Sequence, residues 1–227
     1  MDLTAWADID LGNFTIIDLI AATTNAFNGA FLARQPSHYR KFTILGILLI
    51  AVVGGIGGGV SRDVLLNDIP SALTNPLYII LCAVAGFLAL RASQRLDQAG
   101  SARLFDFMSA FSLPWYAVVG TNKALDTGLP YIACILIGVI GPTAGRFVID
   151  LISGVTPQHF VRGEWFVGTA ILTSVVYLIA DAGLGLEIWP ATLIAFAVGF
   201  AFRIAARRLK WEEPLPQEPS GTPVLAS

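Results

Sequence analysis

Charge is scarce in this chain. Of its 227 residues only 13% are Asp, Glu, Lys or Arg, and the net charge is −2. Ordinary soluble domains carry roughly 25%, so a normally solvated surface is excluded, and nothing in the balance points to nucleic acid. Histidine and cysteine are scarcer still. His38 and His159 lie isolated in loops, while Cys82 and Cys134 each lie inside an apolar run. Two such cysteines read as small buried side chains rather than a disulfide or metal site. No His/Cys cluster fits a metal, and no nucleophile has a base near it in sequence. No metal, cofactor or enzymatic activity is therefore expected. The amino terminus, MDLTAWADIDLGN, has no basic residue. It lacks the basic flank of a signal peptide, so the first apolar run is expected to stay attached.

Apolar sequence takes the place of charge: 55% of residues are hydrophobic and the mean hydropathy is +0.70. Runs of near membrane-spanning length recur between short polar breaks, which predicts an all-α polytopic membrane protein. Seven transmembrane helices are read, at about Phe14–Ala33, Phe42–Leu66, Leu77–Leu90, Leu104–Lys123, Tyr131–Ile152, Trp165–Ile179 and Ile188–Ile204. Seven spans place Arg34, Arg40, Lys41, Arg91, Arg95, Arg103, Arg162, Arg207, Arg208 and Lys210 on one side. Asp68, Asp126, Asp181 and Glu187 fall on the other, with Lys123 its one clear basic residue. By the positive-inside rule the N-terminus is outside a cell membrane and the C-terminus cytoplasmic. The Pro-rich tail, 209–227, reads as disordered.

The sequence is organised around VGGIGGGVSRDVLLNDIP. Gly54, Gly55, Gly57, Gly58 and Gly59 fall within six positions, followed by Ser61, Arg62 and Asp63. No phosphate-loop pattern surrounds them. Inside a membrane run, so many glycines predict a helix break, tolerated only against protein or water, and hence the wall of a pore or binding site. A second stretch matches the first. Aligning Gly54 with Gly141 brings Gly58 onto Gly145, Asp63 onto Asp150 and Pro70 onto Pro157; upstream, Asp18 meets Asp106. Spans one to three thus recur as spans four to six. A unit with an odd number of spans re-enters the membrane upside down, so the repeat is inverted, and such folds place their pathway at paired interrupted helices. The segments are an acidic stretch at 1–13, repeats at 14–92 and 104–181, a seventh helix at 187–208, and the tail.

Arg62 and Asp63 follow the first break; Arg146 and Asp150, four apart on one helix face, follow the second. Each charge facing lipid costs roughly 2.5–3.5 kcal/mol on insertion scales. These four therefore pair with one another or line water, either locking helices or tuning a constriction. Ser61 and Thr143 offer hydroxyls to a cation or bond back to their own helix. Lys123 stands at an outer mouth or snorkels at the interface. The glycines themselves have a packing role as an alternative, with GxxxG spacing at Gly55 and Gly59.

GGIGGGVSRDVLLNDIP, GPTAGRFVIDLISGVTP and VVGTNKALDTGLP together resemble the prokaryotic trimeric intracellular cation (TRIC) channels over about residues 14–205. The resemblance implies two inverted three-helix repeats plus a seventh helix. It implies homotrimers with a pore in each protomer, and conduction of monovalent cations, chiefly potassium, with sodium as a further permeant ion. It implies kinks in the second and fifth spans at Gly54–Gly59 and Gly141–Gly145. The second motif departs from the family pattern: Pro142, Thr143 and Ala144 stand where glycine is frequent, and Ile149 precedes Asp150 in place of arginine. Related bacterial sequences are described as glycine transporters, so a secondary carrier for a small solute is the alternative function. A purely structural membrane protein is a third.

Overall fold

The computed structural model describes residues 12–157, 159–161, 163 and 165–214. The expectations for Arg162, for most of the acidic N-terminal segment and for the tail beyond residue 214 lie outside the described residues. The helices are α1 Asn13–Leu32, α2 Ile44–Leu65, a short α3 Ser71–Thr74, α4 Leu77–Arg95, α5 Gln98–Asp126, α6 Tyr131–Ile152, α7 Phe166–Leu178 and α8 Ile188–Arg208. A π-turn, Ile179–Gly183, extends α7. No strand occurs among the described residues.

Seven long helices match the seven expected spans, with shifted ends. The segment after α4 is not a long loop. Asp97 caps α5 by accepting from the Gly100 amide at 2.9 Å, so α5 starts six residues before the apolar signal does. Thr43 caps α2 in the same way, accepting from Gly46.

By length and composition five helices suit a membrane: α2, α4, α6, α7 with its π-turn, and α8. The other two, α1 and α5, are more polar because they are enclosed. Helix α1 packs on α2, α4 and α5, and α5 packs on α1, α6, α7 and α8. Polar side chains of both, including Asp18, Asn28, Ser112 and Thr121, are buried. Placing them against protein rather than lipid removes the cost of exposing them to hydrocarbon. The repeat is visible in these contacts: α1–α2–α4 form one three-helix unit and α5–α6–α7 the other, meeting through α1–α5 and α2–α6. The seventh long helix, α8, is fastened to α5 by an aromatic stack in which Trp115 and Phe196 lie 4.7 Å apart and Phe111 and Phe196 5.2 Å apart.

The predicted helix breaks are absent. Helices α2 and α6 each run as 22 continuous helical residues through their glycine motifs. Glycine lowers helix propensity by only about 1 kcal/mol per residue. Within a membrane, an unwound turn loses several backbone hydrogen bonds at several kcal/mol each, so the helix persists.

The missing side chains serve contact instead. A methyl group on Gly58 would overlap the Gly141 carbonyl, and one on Gly145 would lie 2.7 Å from the Gly54 carbonyl. On Gly55 it would meet Cys82 Sγ at 2.5 Å and Ala26 Cβ at 2.8 Å. On Gly54 it would meet Ile149 Cδ1 at 2.7 Å. Helix α2 is thus surrounded closely by α1, α4 and α6: Gly55 admits α1 and α4, and Gly54, Gly57 and Gly58 admit α6. Of the five glycines in the motif, Gly59 alone is uncrowded, with Arg62 at 3.8 Å as its one neighbour.

Candidate permeation pathway

The charged residues behind the first glycine motif form one buried cluster. Arg62, 1% exposed, reaches back from α2 to α1. Its terminal nitrogens donate to both oxygens of Asp18 at 3.1 and 3.0 Å, and its Nε donates to Asp63 at 2.7 Å. Tyr78 of α4 donates to Asp18 at 2.9 Å. The Ser71 amide donates to Asp63 at 2.9 Å, which fixes the turn into α3. Lys123, at the end of α5, donates to the same Asp63 carboxylate at 2.9 Å and pairs with Asp68 at 2.7 Å. It is neither a snorkelling lysine nor a free charge at a mouth, but a tie from the second repeat to the first. The Lys123 ammonium holds the Asp68 carboxyl below the usual carboxylate range.

At the opposite end, Arg146 Nε donates to Asp150 at 2.8 Å, the four-residue pairing expected from sequence. His38 was missed. Although it lies in the polar segment after α1, it is 2% exposed, with Nε2 2.9 Å from Asp150 and Nδ1 2.8 Å from Ser37 Oγ. Its signal was faint, a lone histidine in RQPSHYRK, and only the repeat, which sets Asp150 beside α1, brings the two together. Ser61 and Thr143 both bond back to carbonyls of their own helices, at Gly57 and at Val139, so neither hydroxyl is aimed at an ion.

Two small cavities flank the seam between the repeats, and a larger one lies among α5, α6, α7 and α8. A small one, about 10 Å³, touches Asp18, Arg62, Asp63, Tyr78 and Tyr116. On the other side, a cavity of about 20 Å³ is lined by Asn25, Asn28, Ser112, Pro142 and Arg146 among others. It adjoins a larger one of about 270 Å³ lined by Ser109, Arg146, His159, Phe166, Arg203 and Arg207. Burial, more than the neighbouring Arg146 charge, pushes His159 down to about 4.

Between the cavities lies the α2–α6 glycine contact. There Tyr116 donates to the Gly55 carbonyl, and Asn25 donates to the Gly54 carbonyl at 2.8 Å. The expected water-filled gap between two snapped helices is not there: the helices touch backbone to backbone, and Tyr116 fills the space beside the contact.

The profile of the family described as Glycine transporter matches residues 15–94 and 106–182, one repeat in each block. The chain belongs to this family. Among curated proteins it is similar to the UPF0126 inner membrane protein YadS of Escherichia coli K12, 23% identical over 88% of this chain and 93% of the relative. Among solved structures it matches the TRIC trimeric intracellular cation channel orthologue from Rhodobacter sphaeroides at 25% identity and TM-score 0.77, over 87% of this chain and 98% of that one. A structure described as the basis for conductance through TRIC cation channels matches at 25% identity and TM-score 0.76, over 92% and 100%. The resemblance carried by the two glycine motifs therefore holds for membership and for fold. For a member of the glycine transporter family, the match in two blocks coincides with the two three-helix units, and the glycine motifs occupy the same place in each.

Proposed function

We propose that this chain is a multi-pass membrane cation channel with a pathway inside each protomer, along the seam of α2 and α6, captured here with that pathway shut. The observation that carries it is the pair of small cavities on either side of the glycine contact, each touched by an arginine that is paired with an aspartate, in a fold shared with cation channels. Opening requires α2 and α6 to part or slide and Tyr116 to leave the Gly55 carbonyl. Once freed, the glycine-flanked carbonyls present partial negative charge on a surface without side chains, which suits a monovalent cation such as potassium or sodium. The protomers assemble as a homotrimer embedded in lipid, with the N-terminus outside and the C-terminus cytoplasmic, as the basic residues at the ends of α1, α4 and α8 favour.

One observation favours a second reading. Three guanidinium groups, of Arg146, Arg203 and Arg207, line the largest of the three cavities. Such a lining suits a carboxylate better than a bare cation, and a small zwitterion such as glycine fits its volume. Purified protein in planar bilayers under a potassium gradient separates the two. Unitary currents reversing near the potassium equilibrium potential support the channel; saturable glycine uptake without unitary events discards it.

A further inference from the structure

Two cross-repeat contacts stand in equivalent places and differ in chemistry. At one end Lys123, at the end of the first helix of repeat two, binds Asp63 on the second helix of repeat one. At the other, His38, just past the first helix of repeat one, binds Asp150 on the second helix of repeat two. Asp63 and Asp150 are the aligned aspartates of the repeat. Each contact ties the halves together at one end of the α2–α6 seam. One uses a permanent cation; the other uses an imidazole, the side chain whose charge ordinarily changes between about pH 5 and 8.

We propose that His38 is a positioning residue for Asp150 and a proton-operated latch at the arginine-rich end of the pathway. This rests on the channel reading above. With His38 neutral, Nε2–H donates to the Asp150 carboxylate while Nδ1 accepts from the Ser37 hydroxyl, and only the acceptor carries charge. With His38 protonated, both nitrogens donate, the bond to Asp150 becomes an ion pair with charge on both partners, and the end matches its Lys123 counterpart. The latch is then tighter, and the mouth carries one more positive charge.

Among the described residues, these groups face it. On α6, Asp150 bonds it directly and Arg146 shares the same carboxylate oxygen. On α5, Phe105 lies beneath Arg146, with the guanidinium 5.7 Å from its ring. On its own loop, Arg34 stacks over Tyr39, and Arg40 extends toward Gly154 after α6. His159, which also feels Asp150 and Arg146, is pushed down to about 4, first by burial.

The test is single-channel recording of the intact protein with the arginine-rich face at pH 8 and then at pH 5.5, the other face held constant. The wild type is expected to lose conductance or open time by about two- to tenfold on acidification. His38→Gln keeps a donor to Asp150 but no titration, and should stay near the pH 8 level at both values. His38→Lys should stay low at both. A wild type insensitive to pH, or a His38→Gln protein that keeps the full drop, overturns the proposal.

A second readout needs no current. In a double-mutant cycle on melting temperature, His38→Gln against Asp150→Asn, the coupling should grow from pH 8 to pH 5.5; a coupling that is absent or flat overturns the latch. If the coupling grows while the wild type passes no cation, the channel reading fails and the latch stands.

Discussion

Gly58 and Gly59 are neighbours in sequence with opposite surroundings, and that contrast separates the two roles a membrane glycine can have. If the motif existed to weaken the helix, alanine at either position would do the same thing. If it exists to admit a neighbouring backbone, only Gly58 matters. The Gly58→Ala methyl overlaps the Gly141 carbonyl oxygen, which is backbone and cannot rotate away. Carbon–oxygen contacts settle near 3.3–3.6 Å, so α2 and α6 must separate by on the order of 1 Å. Overpacking of this kind costs about 1–3 kcal/mol, enough to lower the melting temperature of a chain of this size by several degrees. At Gly59 the methyl meets only a terminal nitrogen of Arg62, at 3.8 Å, an ordinary van der Waals distance that needs no displacement. Gly59→Ala should therefore be neutral, or stabilising by up to about 1 kcal/mol through helix propensity. Melting of the detergent-purified variants, followed by circular dichroism, gives both numbers in one experiment. Equal melting temperatures for Gly58→Ala and wild type, or an equal loss for the two variants, would refute the packing account.

Replacing Arg62 with methionine strands Asp18 and Asp63 in a buried site, and should destabilise by about 3–5 kcal/mol; adding Asp18→Asn should recover part of this, read as yield of monodisperse protein and melting temperature. Lys123→Met releases the tie between the repeats at its end. Because the lysine holds the Asp68 carboxyl low, the Lys123–Asp68 link is present above the ordinary carboxylate range and lost only as pH falls through the lowered value. In Lys123→Met the Asp68 titration should move up to the ordinary range, measured by carboxyl carbon NMR, and an unmoved titration would dissociate the two groups.

Much of the fold was legible because membrane sequence is constrained at long wavelength. Apolar runs and basic loops fix the number of spans, and the matched Asp63/Asp150 and Pro70/Pro157 positions reveal the repeat. What was not legible depends on distances across the chain. Five glycines together look excessive for packing when α2 is pictured with one neighbour; with α1, α4 and α6 around it, four of the five are used. A break rests on helix propensity alone, and propensity is the weaker term where backbone hydrogen bonds have no water to replace them. Arg62 and Asp63 were recognisable as a pair, but the bidentate partner Asp18 lies 44 residues away in sequence. His38 gave only a faint signal, since its partner Asp150 lies 112 residues away in the other repeat.

Ile149 stands where strict symmetry with Arg62 would put a guanidinium, and its terminal methyl fits the notch left by Gly54 and Gly29. Arg62 itself sits in a nest of two aspartates and a tyrosine that has no counterpart around Ile149. The halves have thus stopped being interchangeable. Writing arginine at 149 to match the first repeat would drive a cation into an apolar slot, and writing isoleucine at 62 would take the shared guanidinium away from Asp18 and Asp63. A chain assembled from two copies of either half would be more symmetrical and less able to fold.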